Sequence, residues 1–129
     1  MKGAAIICLG DGDNIGDGIE CNLLSGRLEL AAQLSDSVKS SLEEISLLFR
    51  EQLDAELIYI GGDNICFQTT SKNQLVSVLS VGMGIFLSRT GRTMSFGAGN
   101  SSVEALLSLR KAKVTGKGKI VLSWEGPRQ

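Results

Sequence analysis

Residues 58–67 read "IYIGGDNICF", and how that stretch is understood decides the fold. Two short apolar runs are separated by Gly61, Gly62, Asp63 and Asn64. Apolar, β-branched runs interrupted by Gly-Gly-Asp-Asn predict two strands, Leu57–Ile60 and Ile65–Thr70, joined by a tight hairpin turn. Aspartate and asparagine are favoured in turns for local reasons, because their short side chains bond the nearby backbone. Asp63 therefore has a bland reading, as a turn former, and a functional one, as a working carboxylate.

The flanking sequence supplies the rest of the sheet. "AAIICL", 4–9, predicts a buried strand that ends at "GDGDNIGDG". Ile15, Ile19, Leu23 and Leu24 recur at helical spacing up to Gly26. Val38, Leu42, Ile45 and Phe49 predict a longer helix with one buried face, capped by Ser35. "QLVSVLSVGMGIFL", 74–87, is apolar nearly all round and predicts a buried helix. "TMSFGAG", 93–99, alternates like a strand. "SSVEALLSLRKAK", 101–113, opens a helix with Ser101 and Glu104 in capping-box spacing. "KIVLSW", 119–124, predicts a last strand.

The order βααββαβαβ contains βαββαβ, the ferredoxin-like or palm arrangement. The expected fold class is α+β: a mostly antiparallel sheet with helices packed on it, as a single domain over 1–129. In that topology the third strand lies beside the first. The end of the first strand and the Gly-Gly-Asp-Asn turn then share one edge. Asp11 and Asp13 are expected to meet Asp63 there.

Composition limits the chemistry. The chain has no histidine, which excludes Ser-His and Cys-His nucleophile pairs, histidine bases and histidine-ligated zinc. Its three cysteines, Cys8, Cys21 and Cys66, form no CxxC pair and read as reduced, mostly buried thiols. Thirteen basic and fourteen acidic residues leave a net charge of −1, so no global field favours nucleic acid or membrane. No apolar run is long enough for a membrane span, and the N-terminus lacks a signal-peptide pattern. A cytoplasmic protein with no membrane insertion is expected.

Clustered carboxylates repel, and one pKa then rises unless a cation is present. Mg²⁺ or Mn²⁺ suits such oxygen ligands and is usually shared with substrate phosphates. Glycines at 10, 12, 61 and 62 suggest close approach of a triphosphate to the backbone. The amides of Asn14, Ile15 and Gly16 open a helix and suit phosphate oxygens. Arg89 and Arg92 read as solvated residues around Gly91. Met83 and Trp124 read as core or interface. Lys111, Lys113, Lys117 and Lys119 form a basic cluster at a helix end, where lysines also complement the dipole.

"AAIICLGDGDNIG" together with "LIYIGGDNICF" resembles the palm polymerase/cyclase superfamily. That group includes GGDEF diguanylate cyclases and the polymerase subunits of type III CRISPR systems. The short chain and the "DGDNIG" form are most similar to mCpol, the minimal CRISPR polymerase family. "SFGAG" and "ALLSLRKAKVTGKGKIV" resemble the strand and basic helix end that close GGDEF domains.

The resemblance implies roles by position. Asp11, the carbonyl of Gly12 and Asp63 would hold the metal, with Asp13 as a possible second ligand. Lys113 and Lys117 would hold triphosphate oxygens, and Gly62 and Asn64 would border the nucleotide. Asn64 departs from the pattern, since relatives carry an acid there. The base-reading residues of diguanylate cyclases do not map onto this chain.

The implied activity is a metal-dependent, pyrophosphate-releasing nucleotidyltransferase acting on ATP or GTP. It would make cyclic di- or oligonucleotide messengers as a homodimer, in antiphage defence, for a separate effector that binds the cyclic nucleotide. A palm-type GTP cyclohydrolase and a non-catalytic nucleotide-sensing module are the alternatives.

Overall fold

The computed structural model describes residues 4–125, so the extreme ends of the expected 1–129 domain lie outside it. The described elements are β1 (Ile6–Gly12), α1 (Ile15–Leu24), α2 (Leu28–Leu53), β2 (Glu56–Gly61) and β3 (Asn64–Thr69), then α3 (Leu75–Thr90), β4 (Met94–Gly99), α4 (Ser102–Val114) and β5 (Ile120–Leu122). This is the predicted order. The sheet runs β2-β3-β1-β4-β5. Every pairing is antiparallel except β4 with β5. The α+β palm arrangement read from the sequence is the fold.

Alternation along the strands sorts the sheet's two faces. Ile6 and Cys8 of β1, Ile65 and Phe67 of β3, and Phe96 and Ala98 of β4 are buried in one core with α2 and α3. Phe49 of α2 is its centre, with ring centroids 4.7 Å from Phe67 and 5.8 Å from Phe96. The opposite face of β4 carries Ser95, Gly97 and Gly99. A β-carbon at Gly97 would lie 2.2 Å from the backbone N of Leu109. Only a glycine floor lets α4 lie that close, and the contact sets where the C-terminal end of α4 falls.

Several boundaries differ from expectation. β1 does not stop at Leu9. It continues through Asp11, which pairs with Asn64 on one side and Ser95 on the other. Both neighbours supply ladder partners, so the Gly-Asp-Gly run stays extended. α2 begins at Leu28, which leaves Ser35 inside the helix rather than capping it. Strong helix formers (Glu29, Ala31, Ala32, Gln33) carry the extra turns. α3 is not buried all round, because Val81 and Leu87 are exposed. β5 ends at Leu122, and Trp124 lies beyond it, partly buried beneath Lys72. Cys8 and Cys66 are buried, but Cys21 is exposed. The Ser101 cap is present: its hydroxyl accepts from the Glu104 amide at 3.2 Å. Among the described residues no helix is long and apolar enough to cross a membrane.

Candidate functional site

The hairpin turn consists of Gly62 and Asp63. Gly62 takes φ +54° while Asp63 stays at negative φ, which fits a type II′ turn with glycine first. The second turn position is therefore free to carry a functional side chain. The Gly12 N–H donates to the Asp63 carbonyl at 2.9 Å and ties the turn to the end of β1. Here the carboxyl of Asp11 lies near enough to that of Asp63 to act on it. Burial first, then the charge of Asp11, pushes the Asp63 carboxyl above its usual range, and Lys113 offsets only part of this.

Asp13 is not the third member of that group. It turns inward and is 1% exposed. Its oxygens accept from Lys113 Nζ at 2.6 Å, Thr93 Oγ1 at 2.7 Å, Ser95 Oγ at 2.9 Å and the Gly118 N–H at 2.9 Å. Burial works to raise its pKa, but these donors together outweigh it and hold the carboxyl below its usual range. The expected cluster of three carboxylates is thus two, because residue 13 lies past the strand and follows the β4 and α4 donors instead. Among the described residues, no group of three or more His, Cys, Asp or Glu side chains forms a metal cage.

Lys113 joins the two regions. Its ammonium lies 3.1 Å from Asp11 Oδ2, 3.0 Å from the Gly12 carbonyl and 2.6 Å from Asp13 Oδ1. A positive charge thus already sits among the oxygen donors that the sequence singled out for a metal. The donors are hard oxygens only, which fits Mg²⁺ or Mn²⁺.

Lys117 is exposed at φ +59°, a conformation that glycine adopts more easily. Its Nζ donates to Asn14 Oδ1 at 2.6 Å. Asn14 itself sits at φ 60° at the start of α1, with no side-chain cap on the helix. The first helical bond runs from the Gly18 N–H to the Asn14 carbonyl at 3.0 Å. The amides of Ile15, Gly16 and Asp17 consequently have no partner within the helix. Asn64 opens β3, opposite Asp11 and Gly61.

The missing β-carbons of Gly10 and Gly12 make room for core side chains. A β-carbon at Gly10 would meet Phe96 at 2.4 Å, and one at Gly12 would meet Ile15 at 2.7 Å and Phe86 at 2.8 Å. Arg89 lies in the last turn of α3 and pairs with Glu44 at 2.8 Å.

Beside Asp63 opens a cavity of about 430 Å³. Ile15, Ile19, Val38 and Ile60 form its apolar walls, and Gly16, Gly62 and Asp63 stand where it meets the carboxylate edge. Ser35 and Lys39 of α2 add polar groups. Sequence reading missed these two as site residues. Their only signal was a polar i, i+4 pair beside Val38, which any solvated helix face also shows.

The profile of the minimal CRISPR polymerase domain, mCpol, matches residues 7–123. The chain belongs to the mCpol family. Among solved structures, this mCpol chain is similar to the Csm1–Csm4 cassette in complex with cA4, at 17% identity and TM-score 0.65. That match covers 90% of this chain but only 20% of the other, so the mCpol chain spans about a fifth of its length. It is also similar to the diguanylate cyclase SiaD of Pseudomonas aeruginosa, solved with its activator SiaC, at 14% identity and TM-score 0.67, over 92% of this chain and 49% of SiaD. An EAL/GGDEF domain protein from M. capsulatus matches at 16% identity and TM-score 0.60, over 93% of this chain and 84% of that one. At these identities the likeness is one of fold. No curated protein matches the chain.

Proposed function

We propose that this mCpol chain is a nucleotidyltransferase that joins nucleoside triphosphates into a cyclic di- or oligonucleotide. The observation that carries the reading is the meeting of Asp11 and Asp63 at the edge of β1, with the Asp63 carboxyl pushed up. Two repelling carboxylates, with one ammonium (Lys113, 3.1 Å from Asp11) between the pair, fit a cation site. Asp11, Asp63 and the Gly12 carbonyl would hold Mg²⁺ or Mn²⁺, with Lys113 moving its charge toward substrate phosphate. A bound divalent ion there supplies a lowered pKa for an attacking ribose hydroxyl and neutralises charge on the transferred phosphate.

The chain's own groups do the positioning. The amides of Ile15 and Gly16 and the ammonium of Lys117 surround the place where β- and γ-oxygens would lie. Gly62 and Asn64 border it from the turn. The ribose oxygen bonds to the α-phosphorus, the bond from that phosphorus to the bridging oxygen breaks, and pyrophosphate leaves with the negative charge. The hydroxyl proton passes to solvent. Ring closure repeats the step with a second nucleotide. One chain offers one such site, so two copies are the working unit. The product would be read by a separate effector in antiphage defence, a role that rests on family membership.

The test is incubation with ATP and GTP, singly and together, with Mg²⁺ or Mn²⁺. Pyrophosphate and a cyclic product are expected. A ring-opened guanine derivative would install the cyclohydrolase reading instead. Tight nucleotide binding without turnover would leave a sensor.

A further inference from the structure

We infer that Ser35 and Lys39, one turn apart on α2, read the nucleobase of the bound triphosphate. The inference rests on the nucleotide reading above. It starts from the cavity beside Asp63, which lies within the range of small-ligand sites at about 430 Å³. Its apolar walls are Ile15 and Ile19 of α1, Val38 of α2 and Ile60 of β2. Apolar walls suit the faces of an aromatic ring, and the edge of that ring must then meet whatever polar groups the cavity offers. Apart from the Asp63 carboxylate at the metal edge, the polar side chains are Ser35 and Lys39.

Three observations make this a base site rather than a solvent dimple. Gly16 belongs both to the cavity and to the free amides of α1, so a nucleotide whose phosphates rest on those amides has its base directed into the cavity. A β-carbon at Gly16 would meet nothing within 4 Å, so the protein itself leaves that space open. Neither the Ser35 nor the Lys39 side chain makes a hydrogen bond or ion pair with another described residue, so both are available. The two groups differ in kind. Lysine only donates, whereas serine donates or accepts. Lys39 therefore demands a ring nitrogen or carbonyl acceptor on the edge that faces α2 and rejects an amino group there. Ser35 tolerates either.

Calorimetry with the full chain decides it. Mg²⁺ complexes of ATP, GTP, CTP and UTP are compared with Mg²⁺–tripolyphosphate for wild type, Lys39→Met and Ser35→Ala. Both residues are exposed, so neither variant threatens the fold, and melting curves verify that. In Lys39→Met the affinity ratio between the best and poorest NTP should fall about tenfold, the size of one lost polar contact. In Ser35→Ala it should fall less. Tripolyphosphate affinity should change less than about twofold in both. If the ranking and ratio of the four NTPs survive both substitutions, the base is read elsewhere and this inference is wrong while the nucleotide reading stands. If wild type binds neither NTPs nor tripolyphosphate, both fall together.

Discussion

Asp13 and Asp63 lie at the same end of one sheet, yet their surroundings are opposite. Around Asp13 every oxygen has a donor: an ammonium, two hydroxyls and a backbone amide. Around Asp63 the near neighbour is another carboxylate. The first region is electrostatically complete and acts as an anchor between β1, β4 and the end of α4. The second keeps a repulsion that Lys113 offsets only in part and that a bound cation would relieve. Carboxylates of identical chemistry thus divide into one that is fully bonded and one that is not, and the division lies in what their neighbours donate.

The largest effect should come from the complete side. Asp13→Ala leaves Lys113 without its buried partner and takes the acceptor from the Ser95 and Thr93 hydroxyls, while the Gly118 amide keeps only Ser95 Oγ, at 2.9 Å. Breaking a buried pair costs about 3 kcal/mol or more, a fall in Tm on the order of 10 °C for a chain this size. A thermal melt measures it. A melt within a degree or two of wild type would mean that Asp13 is not an anchor.

Asp63→Asn should behave in the opposite way. Without metal it removes repulsion, so the melt should stay level or rise. Turnover should drop by about a hundredfold or more, because the cation loses an anionic ligand. The rise in Tm caused by Mg²⁺–NTP in wild type, a mass-action effect, should shrink. The pH dependence of the metal-free protein separates the two residues further. The Asp63 pKa is raised in the fold, so the folded state binds the proton more tightly than the unfolded chain. Stability should fall as pH rises from the usual aspartate range through the raised value. Asp13 is lowered, so its contribution is present at neutral pH and is lost as pH falls below that range. Denaturant titrations in EDTA across pH 3–7 should show a shallow decline at the upper end that disappears in Asp63→Asn. A slope unchanged by the substitution would assign it to another group.

How legible this was from residues alone also divides along the same line. The hairpin, the strand order and the meeting of Asp11 with Asp63 were readable, because Gly62, period-two strands and βαββαβ connectivity are local and topological facts. The inward turn of Asp13 was not readable. It depends on Thr93, Ser95, Lys113 and Gly118, which are 80 or more residues away in the chain. The early start of α2 was hidden by Ser35, a good capping residue in a place where the helix had already begun. The cavity was invisible for a similar reason. Ile19, Val38 and Ile60 obey the same apolar periodicity whether they face a core or a ligand, and only the packing tells which.

Lys117 provides a smaller, cleaner contrast. A lysine at φ +59° costs about 1 kcal/mol relative to glycine, so its side chain has a reason to be there. Lys117→Gly should keep or slightly raise the melting temperature. Affinity for a nucleoside triphosphate should fall about tenfold, the worth of one charged contact. A monophosphate, which lacks the β- and γ-oxygens, should lose less. Equal losses for both ligands would place Lys117 away from the triphosphate tail.

The smallest expected effect compares two glycines. At Gly97 an added methyl would collide with the backbone of α4, 2.2 Å from Leu109 N. At Gly16 the same methyl meets nothing, and alanine is the better helix former by about 1 kcal/mol in a helix interior, less in a first turn. Stability alone thus favours alanine at 16, and glycine there has no packing reason. What it leaves open is the passage between the α1 amides and the cavity beside Asp63. Gly16→Ala should therefore raise the melting temperature by a degree or two while weakening Mg²⁺–NTP binding a few-fold, on the order of 0.5–1 kcal/mol. Gly97→Ala should lower the melting temperature and leave the affinity of whatever remains folded close to wild type. Paired melts and titrations on the two variants read both quantities. If Gly16→Ala is more stable and binds nucleotide as well as wild type, the space beside that residue is empty by chance, and the nucleotide does not pass along α1 into the cavity.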